Sequence, residues 1–351
     1  MSLPRLVFVT YFRLVPTTQI GVFKRCMRLI QHLVDDFEIH LVNFGPLPER
    51  DAMFSALRSR MKIWEFSEDL GNDIARMLDE VQPEAVIFGE TPLRGSMRLA
   101  HRVAGMRGAW QICIDNYYGD YAGSFFPTEW PRIDRWMLLG LMADGRAGMS
   151  NGNVEIVPPL VRFPPGGAEG PRDRVAILGY DKQTLLMGAL LLRRLPPGQL
   201  ADIIVSPEWE SLIGKQRGSL GRPGHRVMVL PKDEDLSRAL SSARVVMGKA
   251  GYQQVVESVA LGAPIVCQIC GGGIDMGLIA PQMKPYVRFV ADEKDLERVM
   301  FDVAGWLLDP PRLPWAGLGA QVPDPAAHAA GRLRELIAQR PAPSSTRRAA
   351  G

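Results

Sequence analysis

The chain has 351 residues, enough for two domains or one large one. Its apolar fraction of 46% and charged fraction of 23% are those of an ordinary globular protein, which excludes a disordered, collagen-like or coiled-coil chain. With 41 basic and 38 acidic residues, the net charge of +3 is too small to indicate nucleic acid as a partner.

The N-terminal half alternates short apolar runs with helical patterns. Strands are predicted at 6–10, 37–42, 85–88 and 110–114, and helices at 22–33 and 97–104. Strands that are apolar throughout and separated by helices are typical of a parallel sheet covered on both faces. This half therefore predicts a doubly wound α/β domain.

The alternation pauses between about 116 and 170. Aromatic residues crowd the stretch from Tyr117 to Trp136, which would suit sugar rings or a lipid carrier at a membrane surface. The alternative that we favour for its end, 136–142, is an ordinary core helix. Proline and glycine are dense at 158–172, and we place the domain linker there.

The same alternation restarts in the second half. Strands are predicted at 175–178, 203–205, 227–230, 245–247 and 264–266, and helices at 184–192, 233–241 and 252–261. The fold class is therefore predicted as α/β, with two Rossmann-like doubly wound parallel-sheet domains facing a central cleft. The tail after about 341 lacks large apolar residues and is predicted to be disordered.

The cysteines and the N-terminus indicate a reduced, cytoplasmic protein. Four cysteines are too few for a disulfide scaffold, and Cys267 and Cys270, although spaced like a redox or zinc pair, lack a second pair. We expect that pair to be buried on a strand. The first ten residues do not resemble a secretory signal, and no apolar run reaches membrane-spanning length.

The segment 245–266 has the pattern of an anion site. A strand ends at Met247, Gly248 and Gly251 bracket a turn, and a helix begins near Tyr252. The first N–H groups of a helix lack partners and attract negative charge, so a diphosphate suits this position. Glu257, about a turn and a half into the helix, is a candidate acceptor for a ribose diol. The alternative is that a glycine turn between a strand and a helix serves packing alone and binds no ligand.

This segment resembles the donor site of GT-B glycosyltransferases. The matching pattern is Gly-Lys-Ala-Gly-Tyr, then Glu257, then Leu-Gly-Ala-Pro at 261–264. The resemblance is to the UDP-glycosyltransferase superfamily, and within it to the inverting branch that includes the lipid-intermediate N-acetylglucosaminyltransferase of peptidoglycan synthesis. It is specific over about 225–270 and weak elsewhere.

The resemblance implies an acceptor-side domain at 1–160 and a nucleotide-sugar domain at 161–310. In 311–351 it implies a helix returning to the first domain, followed by the tail. It also implies that the protein uses no cofactor and no metal, and that a UDP-sugar is the favoured donor substrate. The implied acceptor is a glycan, a lipid-linked molecule or a small molecule. Peripheral contact with the inner face of the membrane stays open. The implied donor contacts are Leu230, Gly248, Lys249, Gly251, Tyr252, Gln253, Glu257 and Asp275.

The sequence also departs from the family. Retaining members have a second glutamate where Lys249 stands, so the resemblance implies inversion, and Lys249 or Lys182 could bind the donor phosphates. Arg244 replaces a usual aspartate, and the loop after the first strand lacks the usual histidine.

An inverting transfer needs a catalytic base, and carboxylates at predicted strand ends are the candidates. Asp115 directly follows one strand of the first domain, and Glu90 follows another after Gly89. For each, the alternative that we favour is a loop or cap carboxylate. Two other functions stay open: a nucleotide-sugar hydrolase or epimerase, and a non-catalytic nucleotide-sugar-binding protein.

Overall fold

The computed structural model describes residues 3–11, 21–49, 51–66, 69–92, 95–116, 133–140, 153–164, 172–216, 218–229, 233–269, 285–312 and 321–340. These residues form two compact units. Unit 1 contains the described residues up to Leu160 together with those from Pro325 onward, and unit 2 contains those from Val161 to Asp324.

Unit 1 is built on a parallel sheet. Its strands are β1 (Arg5–Tyr11), β2 (Glu38–Phe44), β3 (Met61–Trp64), β4 (Ala85–Phe88), β5 (Gln111–Asn116), β6 (Arg135–Leu139) and β7 (Val154–Val157). Its first helices are α1 (Gly21–Ile30), α2 (Ala52–Leu57), α3 (Leu70–Val81) and α4 (Gly95–Met106). Among the described residues the strand order is β3-β2-β1-β4-β5-β6-β7, and every pairing is parallel.

Helices cover both faces of this sheet, which explains why its strands are apolar throughout. Leu6 and Phe8 of β1 belong to one buried cluster, together with Phe23 of α1. Val7 and Val9 belong to the other, together with residues of α3 and α4. Successive side chains of a strand point to opposite faces, so a strand between two helical layers has no solvent side.

The expected core helix at 136–142 is wrong. Residues Arg135–Leu139 form β6, which pairs with β5 on one side and β7 on the other. The run Trp-Met-Leu-Leu favours a helix by composition, but it is only strand-length and Gly140 follows it. Backbone pairing in the sheet outweighs that local preference.

Unit 2 is a second parallel α/β unit. Its elements are β8 (Arg174–Gly179), α5 (Lys182–Arg194), β9 (Leu200–Val205), α6 (Glu210–Lys215), β10 (Arg226–Val229), α7 (Asp233–Ser241), β11 (Ala243–Lys249), α8 (Tyr252–Ala260), β12 (Ile265–Gln268), β13 (Val287–Val290) and α9 (Glu293–Leu308). Within the described ranges the order is β10-β9-β8-β11-β12-β13, again all parallel.

The last described helix, α10 (Pro325–Ala338), belongs to unit 1. Ala329 and Leu333 are buried in the same cluster as Phe23 of α1. Arg332 Nε donates to Glu155 at 2.5 Å and Arg334 Nε to Asp36 at 2.7 Å. The chain therefore completes the core of unit 1 only after it has passed through unit 2.

A buried carboxylate joins three strands of unit 2. Asp202 on β9 is fully buried and accepts from Arg174 Nε of β8 at 2.6 Å and from Arg226 Nε of β10 at 2.7 Å. A shift in strand register would leave this buried charge without its partners, which is costly. The three side chains therefore help to fix the register of β8, β9 and β10.

In each sheet the strand order reverses once, between β1 and β4 in unit 1 and between β8 and β11 in unit 2. This is the doubly wound pattern, and it confirms the predicted α/β class with two parallel sheets. Ligands of such sheets bind beyond the carboxyl ends of the strands at the reversal. No helix within the described ranges combines the length and apolarity that a membrane span requires.

Candidate functional site

In unit 2 the strand–turn–helix at β11 and α8 lies beside the point where strand order reverses. Gly251 is the N-cap residue of α8, and as a glycine it has no side chain that could cap the helix. The turn is fixed to the next strand because Ala250 N donates to Gln268 O at 2.9 Å. The helix therefore presents N–H groups at the carboxyl edge of the sheet, as an anion site requires.

The two glycines of this turn have different environments. A Cβ on Gly248 would lie 2.8 Å from Gln254 Oε1, which itself accepts from Lys249 N at 2.6 Å. Gly248 is therefore needed for packing inside the turn. Gly251 has an ordinary φ of −112°, and a Cβ there would meet no described atom within 4 Å. Neither backbone conformation nor a described neighbour requires glycine at 251, and the space next to it is open.

Glu257 lies on the second turn of α8 and is only 8% exposed. The helix that carries it ends in a Schellman motif, in which Ala263 N donates to Ser258 O at 2.9 Å and Gly262 N to Val259 O at 3.0 Å. Gly262 has φ +87°, a conformation that favours glycine. This ending positions α8 independently of any ligand.

Arginine side chains stabilise the far end of α8. Arg172 donates to the carbonyls of Gly262 and Leu261, and burial lowers the pKa of its guanidinium. A cation at a helix C-terminus is favourable because the last carbonyls carry partial negative charge. Arg244, which replaces the aspartate usual in the resembling family, donates to the carbonyls of Arg172 and Leu307. Its contacts are therefore those of a structural residue.

Gln268 is a candidate site residue that the sequence reasoning missed. It ends β12 in register with Lys249 of β11 and is 3% exposed. Its amide nitrogen donates to the carbonyls of Ile269 and Ala291, both at 3.1 Å, while its Oε1 is buried with no partner among the described atoms. A buried acceptor without a partner is unusual, and a ligand group, an ordered water or an ion can supply the missing donor or cation. In the sequence, the feature that could have indicated Gln268 as a site residue is its position shortly after the predicted strand 264–266.

Lys182, the other basic candidate in unit 2, is exposed at the start of α5. The preceding Asp181 caps that helix, with its carboxylate accepting from Thr184 N and Thr184 Oγ1, each at 2.8 Å. Lys182 thus follows β8, the strand that pairs with β11 at the reversal.

For four of the residues expected to contact the donor, the side chains lie outside the part of the chain that the structure describes. Leu230 and Asp275 lie outside the described residues, as does Cys270 of the cysteine pair. Tyr252 and Gln253 form the first turn of α8 by their backbone, and their side chains are likewise outside the description.

In unit 1 the structure places both candidate bases at the carboxyl edge of the sheet. Asp115 Oδ2 accepts from Thr91 N at 2.8 Å and from the Thr91 hydroxyl, and Oδ1 lies 3.5 Å from Arg25 Nη1. Glu90 immediately precedes Thr91, and its Oε2 accepts from the Tyr11 hydroxyl at 3.1 Å. The two carboxylates therefore lie on neighbouring strand ends but have different partners.

Arg25 of α1 connects the two strand ends at this edge. It is 4% exposed, and its Nη1 donates to Gly89 O at 2.7 Å and to Ile114 O at 3.0 Å as well as approaching Asp115. One buried guanidinium thus holds the ends of β4 and β5. The adjacent thiol of Cys26 is fully buried, and burial raises its pKa to about 11, so it stays neutral.

No protein-family model matches this sequence, and no curated protein matches it. Solved structures do match. They include MurG of Acinetobacter baumannii (13% identity, TM-score 0.59, covering 96% of this chain and 100% of that one). The glycosyltransferase VinC in complex with dTDP has 12% identity and TM-score 0.60, covering 96% and 100%. A UDP-glucosyltransferase of Polygonum tinctorium in complex with 3,4-dichloroaniline has 11% identity and TM-score 0.63, covering 96% and 99%.

All three comparisons extend over nearly the whole of both chains, so they concern the complete two-unit architecture and not one α/β unit alone. At these identities a likeness establishes fold. The protein therefore has the GT-B fold.

Proposed function

We propose that this protein is an inverting, metal-independent glycosyltransferase that transfers a sugar from a nucleotide-diphosphate donor, with a UDP-sugar favoured. The observation that carries the proposal is the strand–turn–helix of unit 2. There the N-terminus of α8, which has a glycine as its N-cap residue, lies at the strand reversal with the buried Glu257 on the same helix. VinC, which shares the fold, is a glycosyltransferase in complex with dTDP.

In this proposal the first turn of α8 binds the diphosphate. Partial positive charge at a helix N-terminus stabilises the anion in the bound donor and, more strongly, in the departing nucleotide diphosphate. Lys249, at the end of β11, adds a full positive charge beside the turn. Glu257 accepts hydrogen bonds from the ribose hydroxyls, and Gln268 Oε1 is a further acceptor at the same edge.

The transfer itself is a single displacement. The acceptor hydroxyl oxygen forms a bond to the anomeric carbon while the bond from that carbon to the diphosphate oxygen breaks, and the bonding electrons leave with the nucleotide. The hydroxyl proton goes to the carboxylate that acts as the catalytic base. Lysine at 249, where retaining enzymes of the resembling family have glutamate, supports inversion.

Of the two candidate bases we assign the proton transfer to Glu90. Asp115 accepts two hydrogen bonds from Thr91 and faces Arg25, so its charge is used to hold the loop after β4. Glu90 lies on that loop beside the reversal between β1 and β4. We therefore treat Asp115 as a positioning residue.

The test measures nucleotide release from UDP-, GDP- and dTDP-sugars, each with and without a cell extract that supplies acceptors. Release that depends on the extract is expected. Release at the same rate without extract would instead indicate a hydrolase, and calorimetric binding of a nucleotide sugar without any turnover would indicate a binding protein.

A further inference from the structure

The outer face of α9 carries an exposed apolar stripe. Phe301 is 88% exposed and Leu308 is 85% exposed, more than any other large apolar residue in the described ranges. They are two helical turns apart and therefore lie on one side of the helix. Ala304 and Gly305, between them on the same side, are also exposed. We call these four residues the α9 stripe.

The opposite side of α9 is an ordinary core face. Leu296, Val303 and Trp306 are buried in the main cluster of unit 2. The stripe is thus additional to the apolar face that the fold uses. Isolated exposed apolar residues are common, but a phenylalanine and a leucine aligned along one helix face, with small residues between them, form a surface suited to a helical partner.

We propose that the α9 stripe is a homodimer interface in which two copies of α9 pack antiparallel about a two-fold axis between Ala304 and Gly305. In that arrangement Phe301 of each copy packs on Leu308 of the other. The small residues at the centre let the two helix backbones approach closely. A two-fold interface uses the same patch twice, so the patch must be complementary to itself. The α9 stripe meets this requirement because its large residues lie at the two ends and its small residues lie at the centre.

The charges at the ends of the stripe select the antiparallel arrangement. Glu297 and Arg298 are exposed one turn before Phe301, where Glu297 pairs with Arg194 at 3.1 Å and Arg298 with Asp295 at 3.0 Å. The exposed Asp309 and Arg312 follow Leu308, the last residue of the helix. Antiparallel pairing brings Arg298 towards Asp309 of the second copy and Glu297 towards its Arg312. Parallel pairing would instead place like charges together, which is unfavourable.

These charges also argue for a second copy over a lipid surface. Helices that bind anionic membranes carry lysine and arginine on the polar side of the apolar face. The stripe is bordered by charges of both signs, the acidic Glu297 and Asp309 and the basic Arg298 and Arg312. A self-complementary rim of this kind suits a protein partner with the same sequence.

The first test is sedimentation velocity over a concentration series. The wild-type protein should show a concentration-dependent dimer, and Phe301→Glu should weaken dimerisation at least tenfold, because it places a carboxylate against Leu308 of the other copy. Met106→Glu is the matched control, since Met106 is 66% exposed on unit 1 and should leave the dimer unchanged. A wild-type protein that stays monomeric throughout, or a dimer that Phe301→Glu does not weaken, would overturn the proposal.

The second test fixes the helix register by cross-linking. Ala304→Cys, in a Cys270→Ser background, should form a disulfide-linked dimer under mild oxidation because residue 304 lies next to the axis. The described cysteines, Cys26, Cys113 and Cys267, are buried and should not interfere. Lys294→Cys is the control, because antiparallel pairing separates its two copies by about 30 Å at 1.5 Å per residue. Equal cross-linking at both positions would contradict the register.

Discussion

The Tyr11 hydroxyl donates to Glu90 Oε2 at 3.1 Å, and this bond joins the ends of β1 and β4, the two strands between which the order of the unit 1 sheet reverses. Burial, followed by the charge of Glu90, raises the pKa of Tyr11. The phenol therefore stays protonated at physiological pH and remains a donor. The bond holds the Glu90 carboxylate at the carboxyl edge of the unit 1 sheet, beside the strand reversal.

Glu90→Gln should lower kcat by about 10²–10⁴-fold, the usual contribution of a general base. Nucleotide-sugar affinity, measured by calorimetry, should be unchanged because the donor is bound by unit 2. Tyr11→Phe is the comparison. It removes a hydrogen bond to the carboxylate, so the acidic limb of the kcat/KM profile should move to higher pH while activity at its plateau is retained. Full activity of Glu90→Gln would exclude this residue as the base.

Glu257→Gln should weaken binding of the nucleotide diphosphate about 10–100-fold, the equivalent of one or two charge-assisted hydrogen bonds. Glutamine has nearly the same shape, so this buried position should keep its packing. Glu210→Gln, an exposed glutamate of the same unit, is the control. If calorimetry gives wild-type affinity for Glu257→Gln, the donor assignment fails.

Alanine at the two ends of α8 should separate ligand binding from stability. Gly251→Ala should change the free energy of unfolding by less than about 0.5 kcal/mol, because its φ is ordinary and its surroundings are open. It should nevertheless weaken donor binding, since a methyl group would enter the space beside the helix N-terminus.

Gly262→Ala should have the opposite effect. Its φ is +87°, and a Cβ would collide with the Arg172 guanidinium, so a loss of more than about 1 kcal/mol is expected. Urea unfolding and calorimetry on both variants check the contrast. Loss of stability in Gly251→Ala would show that its role is structural.

Arg25→Met should destabilise the protein by about 3–5 kcal/mol, because it leaves the buried Gly89 and Ile114 carbonyls without their donor and removes the cation that faces the partly exposed Asp115. The exposed Arg102 on α4 supplies the control, and Arg102→Met should change stability little. Chemical unfolding followed by circular dichroism gives both values. Similar stabilities for the two variants would mean that Arg25 does not organise the edge.

His40 should make stability depend on pH below neutrality. Its pKa is lowered in the folded protein, first by burial, and its Nδ1 accepts from Trp64 Nε1 at 3.0 Å, which requires the neutral ring. The unfolded chain therefore binds more protons as the pH falls below about 6.5, and stability decreases. His40→Gln should show a smaller loss between pH 7 and pH 5 in urea unfolding midpoints. His101, whose pKa is also lowered by burial, keeps part of the dependence.

The sheets could be predicted from the sequence where strands are buried on both faces. Ala85–Phe88 forms a strand at its predicted bounds because four consecutive apolar residues, preceded by Glu84 and followed by Gly89, suit a covered sheet. The strand Met61–Trp64 was not predicted, since Lys62 is exposed and the run is short. Residues 136–142 suggest a helix because leucine and methionine favour helices when tertiary pairing is ignored, whereas Arg135–Leu139 forms β6.

The site was only partly accessible to the same reasoning. The glycines and Glu257 could be found because their spacing reflects one local strand–turn–helix. Arg25 could not, since it occupies an ordinary position in a helix and its partners are about sixty-five and ninety residues away. Gln268 was missed because only the folded sheet reveals that its Oε1 is buried without a described partner. Contacts between distant segments leave no local pattern.

The placement of α10 has a consequence for how the protein is made. The ribosome must synthesise all of unit 2 before Ala329 and Leu333 can enter the unit 1 cluster that also contains Phe23. The described residues of unit 2 all lie between Val161 and Asp324, and every described strand of its sheet precedes α10. Because domains fold as units during translation, unit 2 can complete its fold before unit 1, although unit 1 begins earlier in the chain. Until α10 is synthesised, the unit 1 cluster keeps an apolar surface exposed, and such a surface is one that chaperones bind.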